Sequence, residues 1–335
     1  MRKRVIKSFA VFIMLCITMI VTGCSADNPN TAENDKLKIV AAVFPPYDFA
    51  REISNGLADV SMLLKPGTES HSYEPSPRDI IRIKNCDIFI YTGGESDVWV
   101  DQILNSIDNP KMKTIKMMDC VNALEEEVVE GMQTPHGGEE VHGHNHDHEH
   151  DENEHDFEYD EHVWTSPRNA IAITEQITAA MTECDPKNQT EYAANSKRYI
   201  DALKKLDEDF AKIANNASKR MMIFGDRFPF RYFADEYGIE YRAAFPGCSS
   251  EAEPSAKTIA YLIDKVKEEN IKCIFYIEFS NQKIAKAIEE ETGAKPLLFH
   301  SCHNVTADEL KNGVSYLELM KNNALNLKEA FELCQ

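Results

Sequence analysis

The chain has 335 residues, 43% of them hydrophobic, and a formal net charge of −20 at pH 7. Such a length holds about two ordinary domains, and so acidic a balance excludes nucleic acid as a natural partner. A negative field is compatible with attracting cations but does not say which.

Residues 1–8 carry four cations and no acid, and residues 9–22 are almost wholly apolar, ending in Val21-Thr22-Gly23-Cys24. This is the layout of a secretion signal, too short for a comfortable membrane span, and its end resembles the bacterial lipobox. Residues 1–23 are therefore expected to be a lipoprotein signal peptide. Cys24 would then carry lipid, holding the protein at the extracytoplasmic face of the cell membrane. Loss of the four cations leaves a mature charge of −24. The polar stretch 24–36 reads as a flexible tether.

The body alternates short apolar runs with helical patterns. Runs at 37–44, 60–65 and 87–92, with a weaker one at 113–118, read as buried parallel strands. Helices are expected at 47–55, 76–84 and 96–107. The same grammar recurs with strands at 220–225, 241–245, 273–279 and 295–300, and helices at 228–237, 255–269, 281–292 and 311–333. Gly56, Gly238 and Gly293 fall just past three of these helices, where a left-handed cap strains glycine least. Between the halves lies a helical region, 168–215, broken near Asp185-Pro186; its second part would run roughly 35–40 Å. The expected class is α/β, with an N-terminal lobe (37–186), a rigid connecting helix (187–215) and a C-terminal lobe (216–335). Ligands in such sheets collect at the carboxyl ends of the strands.

The eleven histidines are distributed unevenly. Seven lie in one tract, 136–156: His136, His142, His144, His146, His148, His150 and His155, interleaved with Asp and Glu. No Lys or Arg occurs between Lys116 and Arg168. This tract cannot bury a core, so it reads as a loop offering many loosely arranged ligands to borderline metals. The other four histidines sit at strand ends or helix starts: His71 after the second run, His162 before a helix, and His300 and His303 after the last run. Imidazoles converging from separate segments are how a closed, roughly tetrahedral site is assembled. Cys16 leaves with the signal and Cys24 takes lipid, so seven cysteines remain, and at least one cannot pair within the chain.

Several segments together resemble the zinc and manganese substrate-binding proteins of ABC transporters, the cluster A-I type, over residues 38–335. They are Phe44-Pro45-Pro46-Tyr47-Asp48-Phe49, Pro66-Gly67 with His71-Ser72-Tyr73-Glu74-Pro75, Tyr91-Thr92-Gly93-Gly94 with Trp99, Asp160-Glu161-His162-Val163-Trp164 after the His-rich loop, Pro254-Ser255 and Glu278. The resemblance implies two Rossmann-like lobes joined by a long rigid helix, a metal site in the inter-lobe cleft, and an ABC permease as partner of a monomeric binding protein. It makes His71 and His162 ligands from the first lobe. The second lobe departs from the pattern: where zinc members place a histidine and manganese members a glutamate, this chain has Gly225, followed by Asp226. At the last strand end, where the family tends to offer an aspartate, it reads His300-Ser301-Cys302-His303. His300 is inferred to compensate as third ligand, leaving Asp226, Cys302, His303 or a water as the fourth. Imidazole ligands favour Zn2+ over Mn2+ or Fe2+, and a thiolate from Cys302 would lean further that way. The resemblance also suggests a Cys273–Cys334 disulfide, as in some zinc members. Cys248, after a strand, could face the cleft, contacting Cys302 or sharing metal with it. Glu278 reads equally as an acid orienting a ligand imidazole or as a solvated one.

Two other classes fit parts of the pattern. A zinc metalloenzyme would need a base, and no HExxH-like motif occurs; Glu278 is the one acid to propose. A surface metal chaperone or adhesin-like protein without a transporter leaves no distinguishing motif. The expected reading is a binding protein, not an enzyme.

Overall fold

The computed structural model describes residues 36–69, 73–133, 158–249 and 253–334. The signal, Cys24, the tether to residue 35, His71 and the His-rich tract lie outside the described residues. From Leu37 the chain builds β1 (Leu37–Ala41), α1 (Phe44–Ser54), β2 (Ala58–Met62), α2 (Pro77–Lys84), β3 (Ile88–Tyr91), α3 (Val98–Ser106) and β4 (Lys113–Lys116). These strands form a parallel sheet in the order β2-β1-β3-β4. Two long helices follow, α4 (Pro167–Cys184) and α5 (Gln189–Asn216). The second half adds β5 (Met221–Phe228), α6 (Arg231–Tyr237), β6 (Glu240–Pro246), α7 (Ala256–Glu268), β7 (Cys273–Tyr276), α8 (Lys283–Thr292), β8 (Lys295–Leu298), α9 (Ala307–Lys311) and α10 (Tyr316–Leu333). Its sheet is again parallel, ordered β6-β5-β7-β8.

Helix boundaries follow local chemistry. The first helix starts at Phe44, not at 47, because Pro45 and Pro46 occupy its opening turn, where no N–H is required. Ser76 and Asp79 close a capping box on α2, and the Ser166 hydroxyl accepts the Asn169 N–H at the start of α4. The expected 311–333 helix is two helices, parted at Gly313, whose φ of 76° no helix accommodates.

Strand residues divide between two faces with period two. Ile39, Ile88, Phe224 and Phe275 enter one large core, while Val40, Phe89, Ile223 and Ile274 enter smaller cores on the outer faces. Inner strands such as β3 and β7 are buried on both faces and so read as continuous apolar runs. Helix α5, 28 residues long and so about 42 Å, lies inside the large core through Tyr199, Leu203 and Phe210. It is a wall shared by both lobes and not a bare strut. Residues 37–335 make one unit. Among the described residues no helix is long and apolar enough to cross a membrane.

Cross-lobe bonds bring the strand ends together. The Trp164 indole N–H donates to the Ser301 carbonyl at 2.8 Å, the Tyr316 hydroxyl to the Trp164 carbonyl at 2.6 Å, and the Phe44 N–H to the His303 carbonyl at 3.3 Å. The segment before α4 and the loop after β8 therefore meet.

Candidate metal centre

His162 sits on a short 3-10 turn, Val163–Thr165 following it, held by the Thr165 hydroxyl donating to its carbonyl. The carboxylate of Asp160 accepts two hydrogen bonds from the same residue, its backbone N–H at 2.7 Å and its ring Nδ1 at 3.1 Å. A carboxylate only accepts, so Nδ1 carries the proton and the ring keeps its lone pair on Nε2. This is the orientation a metal-ligating imidazole needs. Burial opposes charge on this ring, yet Asp160, Glu161 and Glu126 outweigh it and hold the pKa above the usual imidazole value. Asp160 is itself pinned, its N–H donating to the Leu124 carbonyl and its carbonyl accepting from the Tyr232 hydroxyl at 2.7 Å.

Across the cleft His303 presents its ring to His162, centroids 5.4 Å apart and nearly perpendicular, with Trp164 packed against both. The two imidazoles share a cavity of about 30 Å³, also lined by Thr68, Glu69, Arg227 and Glu278. That volume suits a largely dehydrated ion and is far below what an organic ligand requires.

His300 is placed differently. Its backbone is clasped by Asn323, which accepts the N–H at 2.7 Å and donates to the carbonyl at 2.8 Å. Its Nδ1 accepts the Cys302 N–H at 2.9 Å, so the ring's proton lies on Nε2, the reverse of the His162 tautomer. Glu278 lies 3.5 Å from that Nδ1 and accepts from Ser301, through its N–H at 2.7 Å and its hydroxyl. Glu278 thus lines the cavity while fixing the turn that carries His303.

The remaining candidates are distributed around this centre. Asp226 accepts the Arg227 N–H, and burial raises its pKa. Cys302 is fully buried at φ 62°, its thiol directed at the His300 carbonyl and kept protonated by burial. Cys248 donates its N–H to Glu126, and burial together with the Asp160, Glu161 and Glu126 carboxylates raises its thiol pKa far above the ordinary value. The seven described cysteines, Cys273 and Cys334 included, are free thiols. Among the described residues no three His, Cys, Asp or Glu side chains close around one point. Gly225 stands where a Cβ would come within 2.8 Å of the Ala285 N and 2.9 Å of its Cα. Helix α8 thus occupies the space a side chain at 225 would need.

Sequence reasoning did not assign roles to Asp160, Glu69 or Arg227. The Asp-x-His spacing could have found the first, since a carboxylate two residues before a histidine can reach both its N–H and Nδ1. Arg227 and Glu69 carried no such signal.

Known proteins resemble this chain over most of its length. The zinc-uptake complex component A, periplasmic (ZnuA) family matches residues 39–330. The zinc-binding protein AdcA of Streptococcus pyogenes serotype M3 is 33% identical over 293 residues, 88% of this chain and 56% of that protein. This chain therefore spans little more than half the length of that relative. The high-affinity zinc uptake system protein ZnuA of Bacillus subtilis is 33% identical over 323 residues, 96% of each chain. The crystal structure of the metal-dependent lipoprotein YcdH from Bacillus subtilis aligns with a TM-score of 0.72 at 29% identity, covering 88% of this chain and all of that one.

Proposed function

The chain belongs to the zinc-uptake complex component A family, and from that premise we propose that it captures Zn2+ between its lobes and delivers it to the permease of an ABC importer. The carrying observation is the pair His162 and His303, set face to edge in a cavity of about 30 Å³, with Asp160 holding His162 in the ligating tautomer. Two imidazoles without a thiolate suit zinc better than manganese, which leans on carboxylates. In this reading His71, read from the sequence, is a further ligand from the first lobe, and His303 takes the place at the last strand end for which His300 was the sequence candidate. His300 instead supports the turn; substituting each histidine in turn decides between them.

The finer parts of the reading rest on sequence. Lipid on Cys24 anchors a monomer at the extracytoplasmic face after removal of residues 1–23, and the 136–156 tract collects ions or senses their abundance. Cys273, at the head of β7, and Cys334, at the end of α10, are proposed to oxidise to a disulfide outside the cell. Closing a loop of about 60 residues would add roughly 4 kcal/mol in the chain-entropy view; a mass two hydrogens lower than the reduced protein would reveal it.

The central experiment is native mass spectrometry of the mature protein, with and without residues 136–156, after exposure to mixed Zn, Mn and Fe. One tightly held zinc that survives loop deletion is expected. Loss of all metal with the loop would overturn the cleft site.

A further inference from the structure

We propose that Glu69 and Arg227 form a clasp across the cleft that sets how long the cargo ion is retained, Arg227 acting as a positioning residue through Glu69. The inference rests on the zinc-capture reading above. Arg227 lies near the end of β5, just past an irregularity in its pairing with β6 between Phe224 and Arg227, and its side chain enters the cavity wall. Its Nη2 donates to the Glu69 carboxylate at 2.8 Å and its Nη1 to the Ser249 carbonyl at 3.1 Å. Glu69 belongs to the loop after β2, so this ion pair joins the second lobe to the first. The same loop is bonded to the segment carrying His303: the Asn304 amide donates to the carbonyls of Lys65 and Thr68 at 2.7 and 2.9 Å, and the Gly67 N–H to the Val305 carbonyl at 2.8 Å. Residues 65–69 thus close one side of the cavity, tied by the Asn304 amide and one backbone bond on the β8 side and by the ion pair on the β5 side.

The charge arrangement gives the pair a role beyond holding the loop. A guanidinium does not deprotonate and cannot ligate a cation, so Arg227 is a permanent positive charge beside a site for a dication. Paired with Glu69 it is neutralised. When the lobes part and the pair breaks, the ion faces that charge without Glu69 to balance it, in a wall only 18% exposed at Arg227, where screening is weak. Breaking the clasp therefore both opens the cavity and favours expulsion.

The test measures zinc dissociation from the mature protein, loaded with one equivalent of Zn2+ and mixed with excess chelator. Glu69→Gln leaves Arg227 without its carboxylate and should speed zinc loss roughly tenfold. Arg227→Gln opens the clasp but removes the repelling charge, so it should speed loss only about two- to threefold, and the double variant should match it. A part in packing alone would not rank a half-exposed Glu69 substitution above loss of the larger, more buried Arg227. A Glu69→Gln rate equal to wild type, or Arg227→Gln faster than Glu69→Gln, would overturn the clasp while leaving zinc capture intact. Failure of the wild type to take up one zinc would overturn the function reading itself.

Discussion

Asp160 offers the sharpest test of how the site is built. Replacing it with Asn keeps the volume and an oxygen for the His162 N–H, but removes the charge that holds Nδ1–H in place. The backbone should not move, since Leu124 and Tyr232 grip it on either side. Losing such an outer partner of a ligating histidine typically costs 10–100-fold in metal affinity, or about 1.4–2.7 kcal/mol. The deficit should also depend on pH. Asp160 contributes to the raised pKa of His162, so wild type is taxed by proton competition over a range where the variant is less affected. The loss should therefore be larger at pH 8 than at pH 6. Competition with a chromophoric chelator at both pH values measures it. An affinity within twofold of wild type at pH 8, with one zinc still bound, would refute the claim that Asp160 orients a ligand.

His303→Ala should weaken zinc by at least a hundredfold with little change in apo stability. His300→Ala should instead lower apo stability by about 1–3 kcal/mol, because the buried Cys302 N–H loses its acceptor; the reverse pattern in calorimetry would return the ligand role to His300. Gly225→His, which inserts the side chain that the resemblance implies for zinc members, should destabilise by roughly 1–3 kcal/mol and bring no tighter zinc binding, since its Cβ meets the α8 backbone; a stable variant with higher affinity would contradict this. For Asp97, burial lifts the pKa to about 6 against the pull of the Gly93 and Thr92 N–H donors. The folded state thus holds this proton more tightly than the unfolded one. Its contribution is full below pH 4 and lost as pH rises through 6, so Asp97→Asn should gain about 2 kcal/mol on wild type between pH 4 and 7. Urea denaturation of apo protein across that range reads the difference, and a pH-independent one would sink it.

Much of the architecture was legible in the order of residues. Apolar runs such as 87–92 announced buried parallel strands because Ile88, Phe89 and Ile90 are all covered, whichever face each takes. Ser76-Pro77 and Ser166-Pro167 announced helix starts because their chemistry acts within one turn. His162 was legible for the same reason, standing just ahead of such a start. Strand order was not, because pairing β1 between β2 and β3 is a choice among distant segments that no local pattern encodes. Nor was the choice at His300-Ser301-Cys302-His303. Cys302 adopts φ 62°, reversing the chain so that His300 turns back to Asn323 and His303 faces His162. Identity and spacing announce that histidines gather at a strand end. Which of them enters the cleft is decided by backbone conformation and by the partners that packing brings to each ring nitrogen.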